Sequence, residues 1–180
     1  KVKKIDILIN NAAYVGSTKL SGWNTSLSNQ SLKTWNEAIE LNLTAPFHLI
    51  RDMSPLLKKS KHASIINISS IYGTFAPDYK LYDGTKMGNP AAYGVSKAGL
   101  NQLTKWMAAT LAPTIRVNTI SVGGIFRKQP KSFVKKYVSN TLLNRMAREE
   151  DIIGTIMYLA SNQSKYITGQ NIFIDGGFTT

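Results

Sequence analysis

An α/β fold on a parallel sheet is predicted by two features of the 180-residue sequence. Short β-branched apolar runs alternate with segments of helical period, and the runs end in Asn, Ser or Gly. Runs that are apolar throughout suit strands covered on both faces, and the alternation suits crossover helices within one sheet. The first run, Ile5-Asp6-Ile7-Leu8-Ile9, closes at Asn10-Asn11. Residues 14–30 are rich in Ser, Gly and Asn and are predicted to be loop. From Leu32 to about Leu57 the apolar residues recur at helical spacing on one wide face, with a kink expected at Pro46.

Ser64-Ile65-Ile66-Asn67-Ile68-Ser69 is the second strand. Residues 72–90 contain Gly73, Pro77, Asp78, Asp83, Gly84, Gly88 and Pro90, which predicts a long irregular loop of the kind that serves as a lid. Helical period returns from Ala91 to about Leu111 and stops at Pro113. Ile115 to Ser121 is the third strand, closed by Gly123-Gly124, and a basic helix is predicted over about 131–140. Glu149-Glu150-Asp151 opens another helix with negative charge at the end where its dipole favours it. Asn171-Ile172-Phe173-Ile174-Asp175 is the last strand, before Gly176-Gly177. No internal repeat or interdomain linker interrupts this order, so 1–180 is read as a single domain.

Composition excludes several classes of function. The sequence has no cysteine, which removes disulfides, thiol catalysis and Cys-ligated metals, and its only histidines are His48 and His62. No stretch approaches the roughly 18 apolar residues of a membrane span, and no signal peptide is visible, so a cytoplasmic location is expected. The formal charge is +12, with basic clusters at Lys1, Lys3 and Lys4, at Lys58, Lys59 and Lys61, and from Arg127 to Lys136. No aromatic residues interleave with the first two clusters as base-stacking platforms would, which argues against nucleic acid.

The residues that carry chemistry are Tyr93 and Lys97, in Ala91-Ala-Tyr93-Gly-Val-Ser-Lys97. On a helix a spacing of four stacks both side chains on one face. An ammonium beside a phenol is expected to lower the phenol pKa from about 10 toward neutrality, making a usable proton donor or acceptor. In a parallel sheet chemistry gathers beyond the carboxyl ends of the strands. Here those ends supply Asn10, Ser69, Ser70, Ser121, Gly123 and Gly124.

Several segments, in this order, resemble the short-chain dehydrogenase/reductase family. They are Asp6-Ile-Leu-Ile-Asn10-Asn11-Ala12-Ala13, Leu41-Asn42-Leu43, Ile65-Ile-Asn67-Ile-Ser69-Ser70, Tyr93-Gly-Val-Ser-Lys97, Arg116-Val-Asn118, Gly123-Gly124-Ile125 and Gly169 to Gly177. The resemblance implies a Rossmann-like doubly wound parallel sheet and an NAD- or NADP-dependent oxidoreductase interconverting a carbonyl and an alcohol. It implies a catalytic tetrad of Asn42, Ser70, Tyr93 and Lys97. Tyr93 would exchange the proton, and Lys97 would tune it and hydrogen-bond the nicotinamide ribose. Ser70, rather than its rival Ser69, would hold the substrate oxygen, and Asn42 would hold a water that links Lys97 to solvent. Asn10, Ala12, Ala13, Gly123, Gly124 and Ile125, together with Tyr93 and Lys97, would border the cofactor. Asn67 and Asn118 would brace the sheet, and no metal is implied.

The sequence departs from the family in three places. The glycine-rich phosphate loop, expected about 80 residues upstream with the first strand and the NAD/NADP selector, is absent, so the chain is expected to be the C-terminal two-thirds of a full enzyme. Its first strand would then be a naked edge, and these 180 residues alone are expected to be inactive. Phe126-Arg127-Lys128 replaces the family's usual loop after the third strand. The stretch from Ser70 to Tyr93 is longer than in typical members. That insertion, with Gly123 to Phe126 and Lys165 to Gln170, resembles a subgroup linked to flagellin-glycan and surface-polysaccharide sugars. It suits a sugar phosphate or nucleotide sugar met by Lys86, Arg127, Lys128 or Lys131, although a solvated lysine-bearing loop reads equally well. The alternatives are a 3-oxoacyl-thioester reductase docking an acidic carrier protein, and a non-catalytic binding or scaffold relative. Surplus apolar faces on helices 32–57 and 91–111 imply a homodimer or homotetramer.

Overall fold

Four parallel strands stand side by side in chain order: β1 (Ile7–Asn10), β2 (Ala63–Ser70), β3 (Ile115–Val122) and β4 (Asn171–Ile174). They belong to a computed structural model that describes residues 2–180; Lys1, from the first basic cluster, lies outside the described residues. Around the sheet run α1 (Leu32–Ile39), α2 (Ala45–Leu57), α3 (Ala91–Leu111), α4 (Lys131–Ser139) and α5 (Glu150–Ala160). Alternate side chains of the strands feed two separate cores, as pleating requires. Ile65 and Val117 pack with Ile50 and Leu57 of α2 and Met107 of α3. Ile66 and Ile120 pack on the other face with Ile152 and Leu159 of α5. The Rossmann-like sheet order expected from the sequence is therefore observed for these strands.

Polar residues inside the strands are used as braces. Asn67 accepts from the Asn10 amide at 2.7 Å and donates to Thr104 Oγ1 at 2.8 Å. Asn118 donates to the Ile167 carbonyl and accepts from Gln170 N. Arg116 donates to the carbonyls of Leu159 and Ser161 and to Ser164 Oγ, tying β3 to the end of α5. After β4 the Asp175 carboxylate accepts from Gly177 N, Thr179 N and Thr179 Oγ1, and Gly176 and Gly177 take positive φ that side chains resist.

One sequence expectation is corrected. The long helix over 32–57 is not kinked at Pro46 but interrupted just before it, by a π turn at Glu40–Thr44. Pro46 then lies in the first turn of α2, where a missing N–H costs nothing. A single π turn of this kind turns one residue inward, and here that residue is Asn42, only 1% exposed.

Residues 72–90 form the expected irregular loop, and it packs as a wall against its neighbours. A short helical turn at Tyr79–Tyr82 buries Leu81 and Tyr82 against Phe133, Tyr137 and Met146. Lys136 Nζ donates to the carbonyls of Lys80 and Asp83. Asn24 Nδ2 donates to the Lys86 carbonyl, which fastens the wall to the 14–30 loop.

The outer edge of β1 is unpaired, and its Ile7 and Ile9 are each 42% exposed. Among the described residues no helix is long and apolar enough to cross a membrane, and no cluster of His, Cys, Asp or Glu could hold a metal.

Candidate active site

Ser70 ends β2, and Tyr93 and Lys97 occupy successive turns at the start of α3, so all three gather at the carboxyl edge of the sheet. Ser70 Oγ accepts from Tyr72 N at 3.2 Å, which fixes its rotamer at the strand end. It also faces Tyr93, favouring the ionised phenol. Ser69 points to the other side of the strand, toward the Lys97 carbonyl. Pleating thus puts Ser70, and not Ser69, on the side of Tyr93.

Lys97 is buried, and its Nζ donates to the Ile68 carbonyl at 2.7 Å. Burial lowers its pKa to about 8. The expectation that Lys97 would pull the Tyr93 pKa down is not met. Burial pushes the Tyr93 phenol above its ordinary value, and only Ser70 opposes it. At neutral pH Tyr93 therefore keeps its proton and is poised as a donor.

Asn42 does not reach Lys97 with its side chain. Its Oδ1 accepts from Tyr14 N at 2.7 Å, and its Nδ2 donates to the Tyr14 carbonyl and to Ser96 Oγ. Ser96 is the residue before Lys97, so Asn42 clamps the loop after β1 to the turn carrying the lysine. In this arrangement its side chain positions the turn that carries Lys97. Asn42→Ala should lose about 2–3 kcal/mol of stability, because buried partners are left unpaired. Chemical denaturation checks this, and a loss under about 0.5 kcal/mol would contradict the clamp.

The residues expected around the cofactor divide. Asn10 donates to Asn67, but its Oδ1 is buried with no protein donor, at the end of β1. Ala12 is exposed and Ala13 half-buried beside it. An orphan acceptor next to small, open residues fits a sugar hydroxyl, so this turn suits the ribose side of a dinucleotide. At Gly123 and Gly124 the backbone is closely approached by protein. A Cβ on Gly124 would stand 2.8 Å from the Tyr137 ring, and one on Gly123 would stand 2.9 Å from Asp175 Cα. Gly124 N donates to Tyr137 Oη at 2.6 Å, and Ile125 bridges to Ala147. These contacts fasten the loop after β3 to α4 and to the segment before α5.

The candidate anion-binding residues also divide. Arg127 pairs with Glu149 and is not free. Lys86, Lys128 and Lys131 remain exposed.

The family described as enoyl-(acyl carrier protein) reductase matches residues 1–179. Post-translational flagellin modification protein A of Campylobacter coli is 36% identical over 99% of this chain and 69% of its own length. The chain belongs to the short-chain dehydrogenase/reductase family. The 3-oxoacyl-[acyl-carrier-protein] reductase FabG of Thermotoga maritima is 34% identical over 98% of this chain and 67% of its own. A short chain dehydrogenase from Leptospira borgpetersenii, solved with bound NAD+, superposes with TM-score 0.87 at 37% identity. It covers 97% of this chain and 65% of that one. The chain thus spans about two thirds of the length of these relatives. Family members are oxidoreductases that use NAD or NADP.

Sequence reasoning missed Tyr14, Ser96, Tyr72, Tyr82, Asn89 and Tyr137. Tyr72, two residues beyond Ser70, and Asn89, four before Tyr93, had a signal in their spacing from the tetrad. Tyr137 had none, because it arrives from α4 through a tertiary contact.

Proposed function

We propose that the intact protein interconverts a carbonyl and an alcohol, with Tyr93 transferring the proton and a nicotinamide cofactor transferring the hydride. The observation that carries this is the Ser70–Tyr93–Lys97 arrangement at the strand ends, with Tyr93 protonated at neutral pH. The bound cofactor supplies a hydride to the carbonyl carbon, or accepts one in the reverse direction. Tyr93 gives its proton to the oxygen as negative charge develops there, and Ser70 Oγ holds that oxygen by a hydrogen bond. Lys97, a cation at neutral pH, is held in place through Ile68 and offsets the charge left on the phenolate. Asn10 Oδ1, Ala12 and Ala13 would border the cofactor's ribose, and phosphate-binding strands would continue the sheet from the free edge of β1.

The substrate class we favour is a polar, hydroxylated molecule, including an anionic sugar, in the cytoplasm. The 36% identity to a flagellin modification protein supports it, as do the exposed cations Lys86, Lys128 and Lys131. Similarity to FabG favours a second reading, reduction of a 3-oxoacyl thioester. Leu49 of α2 and Val95 and Trp106 of α3 are each about half exposed (46%, 49% and 56%), which supports a dimer through these helices.

The test is NAD(P)+-dependent oxidation of myo-inositol against NAD(P)H-dependent reduction of acetoacetyl-coenzyme A, followed by absorbance of the reduced cofactor. Oxidation of the polyol without thioester reduction supports the first reading. The reverse supports the second, and neither would reject the oxidoreductase assignment.

A further inference from the structure

We propose that Tyr72, Tyr82 and Asn89 form a recognition niche beside Tyr93 that selects substrates bearing an oxygen function in addition to the reacting one. The three residues sit on the wall inserted between Ser70 and Tyr93. Tyr72 is fixed from the Ser70 side, since its N–H donates to Ser70 Oγ at 3.2 Å. Asn89 is fixed from the Tyr93 side, because Pro90 between them accepts from Tyr93 N at 3.0 Å. Tyr82 joins the two. Its hydroxyl lies 2.9 Å from that of Tyr72, and the Asn89 amide faces it. Both phenols are close enough to Tyr93 for ionisation of one to disfavour the other.

Proton counting shows what the niche wants. Asn89 is only 7% exposed, and among the described residues its Nδ2 faces only the Tyr82 hydroxyl, without a well-formed hydrogen bond. In the Tyr72–Tyr82 pair one hydroxyl donates to the other, so one phenolic proton stays unused. Burial keeps both phenols protonated at neutral pH, so even with the Asn89 amide facing the neutral Tyr82 oxygen the pair retains a phenolic proton with no acceptor inside it. The niche therefore offers surplus donors beside the reacting position, and buried donors left unpaired are costly. An acceptor oxygen on the substrate would satisfy them, whereas an alkyl chain would bury them unpaired. A site built this way rejects the analogue lacking the oxygen far more strongly than an apolar pocket rejects an extra one.

The niche is also braced by packing and hydrogen bonds. Tyr82 stacks toward Phe133 at 5.5 Å, and Phe133 toward Tyr137 at 5.8 Å. Tyr137 in turn accepts from Gly124 N beyond β3. Tyr79 Oη donates to the Asn89 carbonyl, fixing the backbone that presents the amide.

This inference rests on the oxidoreductase reading, and its test separates the two. In the intact enzyme, oxidation of cyclohexanol and myo-inositol is compared; they share a ring and differ in the additional hydroxyls. Wild type should favour myo-inositol in kcat/KM by at least about 100-fold. Asn89→Ala and Tyr72→Phe should each cut that preference by about 10-fold or more, with cyclohexanol oxidation unchanged within about twofold. Tyr72→Phe keeps the ring and its packing, so it stands as the test if Asn89→Ala fails to fold. Equal losses on both substrates, or an unchanged preference, would overturn the niche while leaving the reaction class intact. If wild type oxidises neither alcohol, the polyol reading and the niche fail together, and reduction of acetoacetyl-coenzyme A then decides the reaction class separately.

Discussion

Tyr93→Phe should lower turnover by about 10²–10⁴-fold, the range that a positioned proton donor contributes. The substitution removes one oxygen and leaves the ring, which packs beside Ala92, Trp23 and Ala38, in place. Stability should stay within about 1 kcal/mol, since the Tyr93 phenol only faces Ser70. Nicotinamide cofactor affinity should stay within about twofold, because the candidate ribose contacts at Asn10 to Ala13 lie on another element. Burial raises the Tyr93 pKa, so the reductive direction should keep its full donor through neutral pH and lose it only in alkali. Kinetics of both directions against pH, with cofactor binding measured by fluorescence, check each part. A variant retaining more than about a tenth of wild-type turnover would remove Tyr93 from the reaction.

Lys97→Met should stabilise the protein while abolishing its activity. An isolated lysine titrates near 10.5, and burial lowers the Lys97 pKa to about 8. The folded state therefore binds the proton less tightly than the unfolded state. Below about pH 8 the full penalty of holding a buried ammonium is present. Between about pH 8 and 10.5 the unfolded chain carries more protons, so stability from this group rises with pH; above that the penalty is gone. The penalty corresponds to about 3 kcal/mol at neutral pH. Removing the ammonium also leaves the Ile68 carbonyl without its 2.7 Å donor, which returns about 1 kcal/mol. The net expectation is a gain of about 2 kcal/mol at pH 7, shrinking toward pH 10, in denaturant titrations of the cofactor-free protein. Destabilisation at pH 7 with unchanged pH dependence would mean that Lys97 is an ordinary structural lysine.

The strands and most of the helices were legible because their signals are local. Ile65 and Ile66 each need a separate apolar partner, and that demand alone declares a strand covered on both faces. The Tyr93–Lys97 spacing and Ser70 at a strand end were likewise readable, because a helix repeat and a pleat fix where they point. The sign of the Tyr93 shift was not readable. It depends on how much protein surrounds the phenol and on Lys97 turning to Ile68. Nor was the role of Asn42, whose partners Tyr14 and Ser96 lie 28 and 54 positions away. The stretch over 72–90 was legible as an irregular loop because Gly, Pro and Asp dominate its sequence. Its packing as a wall comes from Leu81 and Tyr82 against α4, a tertiary contact that no local pattern announces.

The most direct test of the central claim follows the hydride and the proton separately. The intact enzyme would reduce 2,3-butanedione with nicotinamide cofactor deuterated at the transferred position of C4, and the alcohol would be analysed by mass spectrometry. The predicted result is deuterium on the carbinol carbon in the wild-type product, with Tyr93→Phe losing the rate but keeping that label in whatever product forms. Alcohol without deuterium on that carbon, or label and rate both indifferent to Tyr93, would contradict a nicotinamide hydride transfer completed by this tyrosine.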